Sequence, residues 1–250
     1  MNWDWLPEYS GLTLALTATA ALLAGLARGF SGFGAALIFV PLTGALVGPK
    51  LAGPILTVID LIFAAPLFPG AFARGDRREV SVMFAGAVVG IPAGTAILRN
   101  FEPLTLRWLI AGMAASMLLL LLSGWRYRGQ PRSAATFAVG AVSGLFSGIA
   151  QIGGPPVVSY WLGTGSEPAR FRANVILFFA AGGALSLVTY YLSGLISDEV
   201  LRISLLAGPA YGIGTYFGTR MFGLASPAIF RAASLILIAV AVLLSLPLFG

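Results

Sequence analysis

The chain contains no cysteine and no histidine, and only 10% of its residues are charged. Without cysteine there is no disulfide framework, no thiolate nucleophile and no thiolate metal ligand. Without histidine the commonest metal ligand and the commonest general base are both missing. No GxxxxGK[ST] segment is present, so any nucleotide-driven step would require another chain. What is left for catalysis is one mid-span carboxylate, Asp60, and scattered serines and threonines. That set is thin for a membrane-embedded hydrolase, which needs a nucleophile with a base beside it. The expectation is a protein that is not an enzyme and holds no cofactor and no metal.

What is present is apolar. Hydrophobic residues make up 58% of the 250 residues, and the mean hydropathy is +0.92, far from the balance of a soluble domain. The 32 glycines and 15 prolines form no low-complexity tract; they lie inside apolar runs. Membrane helices tolerate that, because neighbouring helices satisfy the freed backbone groups. A net charge of +6 and a pI of about 10.2 would suggest nucleic acid in a soluble chain. Here the basic residues sit in short loops between apolar stretches, and membrane topology explains them better.

Two segments of the chain resemble each other. GLARGFSGFGAALIFVP, beginning at Gly25, reappears in degraded form as SGLFSGIAQIGGPP, beginning at Ser143. Ser31-Gly32 matches Ser147-Gly148 at an offset of 116, and LIFAA at 61–65 falls on LFFAA at 177–181. Gly90, Gly94, Pro103 and Arg107 fall on Gly214, Gly218, Pro227 and Arg231 at an offset of 124. The reading is an internal duplication with one longer loop in the second half. Residues 1–123 form the first transmembrane repeat, 124–133 a basic connector and 134–250 the second repeat. Each repeat has a broken or re-entrant helix pair followed by three transmembrane helices, giving an all-α polytopic protein of about 8–10 membrane segments.

In order, the apolar stretches are 12–26 and 35–47 around a break at 27–34, then 51–72, 80–98 and 104–122. After the connector come 134–147 and 155–162 around a second break, then 173–192, 200–222 and 228–248. The acidic, aromatic residues 1–10 read as an interfacial anchor on the outer side. With the N-terminus outside, Arg74, Arg77, Arg78, Arg126, Arg128, Arg132, Arg170, Arg172, Arg220 and Arg231 fall inside, and Lys50, Arg99, Arg107 and Arg202 fall outside. That asymmetry satisfies the positive-inside rule. It gives each half an odd number of passes, so the halves are inverted, as in many secondary transporters.

A helix that starts at mid-membrane presents unpaired backbone N–H groups and the positive end of its dipole, a ready anion site. The candidate ligands are therefore the backbone of Ser31, Gly32, Phe33 and Gly34 in the first break and of Gly148, Gly153 and Gly154 in the second. Ser31, Ser147 and Gln151 would add side-chain hydrogen bonds, and Arg28 a fixed charge. Asp60, in mid-span, is a candidate to carry a coupling proton, or else a structural partner of Arg28. Asn174 falls near the place of Asp60 in the second repeat. Glycine pairs such as Gly90 with Gly94 also suit close helix packing. Tyr160, Trp161, Tyr190 and Tyr191 read as an interface belt.

The break carrying Gly25, Gly29, Gly32 and Gly34, followed by SGLFSGIAQIGGPP with Gly144, Gly148, Gly153, Gly154 and Pro155, resembles the TauE/SafE sulfite exporter family (TSUP) over nearly the whole chain. This chain has Ala35 and Ala36 where many relatives continue with glycine. The resemblance implies a multi-pass carrier in the bacterial inner membrane that exports sulfite, an organosulfonate or a related small anion. Its partners would be that anion and bilayer lipid, with a homo-oligomer left open and no nucleic acid. The alternatives weighed from the residues are a passive anion channel and a carrier of a different small anion.

Overall fold

The computed structural model describes residues 9–165, 167–221 and 227–247, less the side chains at 31, 227–231 and 233. Among these residues every regular element is helical: α1 (Gly11–Ser31), α2 (Ala35–Leu46), α3 (Pro49–Ala64), α4 (Phe68–Arg74), α5 (Arg77–Asn100), α6 (Pro103–Ser123), α7 (Ser133–Ala150), α8 (Gly154–Gly163), α9 (Pro168–Leu192), α10 (Asp198–Met221) and α11 (Pro227–Ser245). A single 3₁₀ turn joins α3 to α4, so Pro49–Arg74 is one rod of membrane length. Six described helices are long and apolar enough to cross a bilayer. Large apolar side chains such as Val89, Leu119, Leu205 and Leu243 point outward, as a lipid-facing surface requires. The chain is a polytopic helical membrane protein.

Polar contacts sort the helix ends into two sets. At one end, the Tyr9 hydroxyl donates to Glu199 (2.6 Å) and to the Val47 carbonyl (3.2 Å), and Lys50 donates to the Arg99 carbonyl (2.8 Å). Burial, and then the bond to Glu199, push the Tyr9 hydroxyl up to about 12, so it remains a donor. At the other end, the Asp76 amide donates to Asn174 (2.7 Å) and the Tyr127 amide donates to the Ser159 carbonyl (3.1 Å). Asn174 thus pins the turn before α5. The proposed anchor at residues 1–10 falls, for residues 1–8, outside the described residues, as does the Arg231 side chain.

Two glycine-faced helix pairs form the frame. Gly86, Gly90 and Gly94 of α5 lie against carbonyls of Phe137, Ala141 and Leu145 on α7, while Gly140 and Gly148 of α7 lie against those of Met83 and Ile91 on α5. On the other side, Gly25 and Gly29 of α1 lie against carbonyls of Tyr211 and Thr215, and Gly214 and Gly218 of α10 against those of Leu22 and Leu26. At these sites backbone touches backbone, which only the smallest residue permits. The exchange is reciprocal, since the opening helix of each half packs on a helix of the other half.

The two pairs share one contact register. Shifting α1 by 119 and α5 by 124 carries Gly29–Thr215 onto Gly148–Ile91, and Gly214–Leu22 onto Gly90–Ala141. The shift for the first helices differs by three residues from the offset of 116 that matches Ser31-Gly32 with Ser147-Gly148. By that shift Gln151 corresponds in number to Gly32, and Ser147 to Arg28.

Candidate functional site at the paired helix breaks

The first break is shorter than the sequence suggested. Helix α1 runs on through Arg28 to Ser31 and stops at Gly32, whose φ of 78° lies in the left-handed region. Gly34, at φ 95°, caps α2, so the break is three residues long and needs glycine at two of them. Arg28 therefore belongs to the last helical turn of α1 and not to the break. The second break turns on Gln151, at φ 59° the non-glycine residue with positive φ among those described. An L side chain held there costs about 1–2 kcal/mol, a strain of the kind that concentrates at functional positions. In each pair the first arm has membrane length, 21 residues in α1 and 18 in α7. The second arms, with 12 and 10 residues, rise about 18 and 15 Å, half of a bilayer core.

Both short arms start on one cavity. It measures about 60 Å³ and is lined from the first break by Phe33, Gly34, Ala35 and Ala36, and from the second by Gln151, Ile152, Gly154 and Pro155. Arg28, Thr57 and Asp60 complete its polar wall. By volume it holds a few waters or one compact polyatomic ion. Neither α2 nor α8 has a side-chain hydrogen bond at its N-cap. The Leu37 amide donates to the Gly34 carbonyl at 3.1 Å, so it is the Ala35 and Ala36 amides of α2 and the Gly154 amide that lack the usual cap oxygen; Pro155 and Pro156 supply none.

The charged wall is an ion pair. Arg28 Nε and Nη2 donate to the two oxygens of Asp60 at 2.8 and 3.1 Å, and Nη1 donates to the Gly32 carbonyl. The Tyr211 hydroxyl donates to Asp60 Oδ1 at 2.5 Å. The guanidinium thus ties the end of α1 to α3, and Tyr211 ties α10 to both. Asp60 keeps 29% of its side-chain surface open against 11% for Arg28, and that surface faces the cavities.

Several sequence candidates stand elsewhere. Gly148 is inside α7, packed on Ile91 and Thr95, so its amide is not at the break. Ser147 is buried in α7 one turn before the break and does not line the cavity. Gly153 backs onto Ser143 and Ser147, where a Cβ would strike the Ser147 hydroxyl, while Ser143 Oγ donates to its carbonyl at 2.7 Å. These three residues hold the second break in place from behind. Gly32 lines a neighbouring cavity, and the Ser31 side chain is outside the described residues.

The aromatic belt is corrected by burial. Tyr160, Trp161 and Tyr190 are core residues exposed by 1% or less, and Tyr191, at 71%, is the one that faces out. The Tyr190 hydroxyl donates to the carbonyls of Ser147 and Gly148, both at 3.0 Å, and Gln151 Nε2 donates to it at 3.4 Å. It satisfies the Gly148 carbonyl that the end of α7 sets free, while the Ser147 carbonyl also accepts from the Gln151 amide at 2.9 Å. Tyr190→Phe is expected to lower stability by about 1–3 kcal/mol, read as a fall in the thermal midpoint in detergent, because the buried Gly148 carbonyl loses its donor. An unchanged midpoint would mean that water replaces the hydroxyl. The sequence singles out Tyr190 only as a belt residue and Tyr211 not at all; the available signal is that a buried tyrosine in an apolar helix needs a partner for its hydroxyl.

Comparison with known proteins bears on this geometry. Residues 17–245 match the family described as Sulfite exporter TauE/SafE. A protein of Cupriavidus necator named "Probable sulfite/organosulfonate exporter TauE" is 25% identical over 233 residues, covering 87% of this chain and 88% of that protein. No solved structure matches the chain.

Proposed function

Since the chain belongs to the sulfite exporter TauE/SafE family, we propose that it is a secondary transporter exporting sulfite or a related small organosulfonate across a bacterial inner membrane. The observation that carries this reading is the convergence of two uncapped helix starts and a guanidinium on one small cavity. Two positive dipole ends and a cation favour an anion, and the cavity volume favours a compact one.

In this reading the anion accepts hydrogen bonds from the Ala35 and Ala36 amides of α2, from the Gly154 amide and from the Gln151 side chain. Arg28 is already neutralised by Asp60, so its charge is available only when that pair opens. Transfer of one proton to Asp60 removes the carboxylate and leaves the guanidinium to the anion, which couples one proton to one anion site. The groups facing Asp60 are Arg28 from α1 and Tyr211 from α10, with Arg172 of α9 across the adjoining cavity. The end bearing Arg74, Arg77, Arg78, Arg126 and Arg128 faces the cytoplasm under the positive-inside rule, which puts the N-terminus outside. The halves 1–123 and 134–250, inverted and joined by 124–133, would rock about their reciprocal glycine contacts to alternate access.

The test is sulfite uptake into proteoliposomes with and without an imposed pH gradient. Saturable uptake is expected, raised by the gradient and stimulated by unlabelled sulfite on the far side. Non-saturable flux without counterflow would indicate a passive channel. No flux and no binding of any sulfur anion would end the proposal.

A further inference from the structure

Two larger cavities adjoin the central one toward the end of the bundle that holds Arg74 and Arg126. One, of about 310 Å³, lies among α1, α6, α8 and α11 and reaches Trp125 and Arg126. The other, of about 260 Å³, lies among α1, α3, α9 and α10 and reaches Arg172 and Thr219. One side chain, Phe33, lines all three cavities. Arg28 and Asp60 are shared only between the central cavity and the one beside α9, and Gly34 only between the central cavity and the one beside Trp125.

Phe33 stands between two left-handed glycines, Gly32 and Gly34. That backbone tolerates rotations a normal residue would resist. The Phe33 side chain comes within about 3.7 Å of where a Cβ on Gly154 would stand, so it spans from the first break to the start of α8. On the Trp125 side the residues shared with the central cavity are the Phe33 ring and Gly34, which has no side chain; on the other side they are the ring and the ion pair. An apolar ring at a constriction excludes a hydrated ion by refusing it hydrogen bonds, and limits size by its own bulk.

The geometry points to Phe33 as the residue that closes the central site from this end and sets the size of anion admitted. It acts by steric partition and makes no polar contact with the anion. A compact anion such as sulfite passes when the ring swings on its two glycines. An anion with a bulky aryl group is refused, because the central cavity without ring movement has room for only a few waters.

The experiment uses the natural absence of cysteine. Thr57 lines the central cavity, and Thr57→Cys places one thiol there in an otherwise thiol-free chain. Labelling by a small charged methanethiosulfonate is followed in membrane vesicles of each orientation, with Phe33, Phe33→Ala, Phe33→Leu or Phe33→Trp in the background. Phe33→Ala is expected to speed labelling about tenfold from the Arg74 end, with Phe33→Leu intermediate and Phe33→Trp no faster than the parent. An unchanged rate in a Phe33→Ala protein that still elutes as a single folded species would overturn the partition. Where the alanine variant does not fold, Phe33→Leu decides in the same way.

A second arm rests on the transport reading. In the cysteine-free chain, Phe33→Ala is expected to gain flux of an arylsulfonate such as toluenesulfonate relative to sulfite, by about tenfold. Retention of the parental ratio would overturn the assignment of size selection to Phe33. Faster labelling with no sulfonate or sulfite flux in any variant, the parent included, would leave the partition standing and remove the transport reading instead.

Discussion

Asp60→Asn is expected to abolish the response of flux to a pH gradient and to cut the flux itself about a hundredfold. The same substitution should destabilise the fold by about 3 kcal/mol, the lower end for removing one partner of a buried pair. The lower end applies because the asparagine carbonyl oxygen can still accept from Arg28 and the pair borders the cavities, although Arg28 itself is nearly enclosed. An amide in its place presents a neutral group to a guanidinium that has little water around it. Arg28→Gln should cost stability for the mirrored reason and also takes a donor from the Gly32 carbonyl. The double variant Asp60→Asn/Arg28→Gln carries no buried charge, so it is expected to recover most of the lost stability without recovering flux. Thermal unfolding in detergent and gradient-driven sulfite uptake, measured on the same preparations, separate the two roles. Wild-type pH dependence in Asp60→Asn would show that the coupling proton resides elsewhere. A double variant less stable than either single one would show that the pair contributes more than mutual neutralisation.

The second large effect is expected at a glycine far from the cavity. A Cβ at Gly140 would run into the Met83 carbonyl, a backbone atom that cannot swing aside. Gly140→Ala must push α7 off α5 along the whole glycine face, where Gly86, Gly90 and Gly94 make equally close approaches. Overpacking usually costs about 1–3 kcal/mol, and a clash with backbone on both sides belongs at or above that limit. Gly112 of α6 is the control, because a Cβ there meets nothing within 4 Å. Gly112→Ala is expected to be neutral or to stabilise by up to about 1 kcal/mol through helix propensity. Equal effects of the two substitutions on the thermal midpoint would refute the reading of α5 and α7 as a backbone-to-backbone contact. Gly25→Ala should match Gly140→Ala in stability and lose flux as well. Its neighbour across the contact is Tyr211, whose hydroxyl holds Asp60.

Membrane class, the number and approximate extent of the helices, and the existence of two breaks were legible in the chain because each depends on local composition. Apolar runs of about 20 residues can be satisfied only as spanning helices, and the glycines at 32 and 34 mark a backbone that must leave helical geometry. The two charged candidates, Arg28 and Asp60, were visible as costly charges in apolar surroundings. The extent of the first break was less legible, because helix α1 continues through Arg28 and Gly29 once its face is packed on α10. Gln151 shows the same limit from the other side. Nothing local marks it as left-handed, and packing holds it there.

By itself the sequence determined that this chain lives in a bilayer, that it turns back twice on itself, and that its chemistry rests on few polar groups. The tertiary structure decided which of those groups share a cavity. It drew Arg28, Asp60 and Tyr211 together from three helices, and it withdrew Ser147, Gly148 and Gly153 into the support behind the second break. It turned Tyr190 inward onto the carbonyls at the end of α7 and set Phe33 between three cavities. The physical reason lies in the range of the forces involved. Hydropathy and backbone preference act within a turn or two of helix, while the burial of a charge or a hydroxyl is settled by whichever distant helix supplies its partner. In this fold the close approach of glycine-faced helices makes that choice.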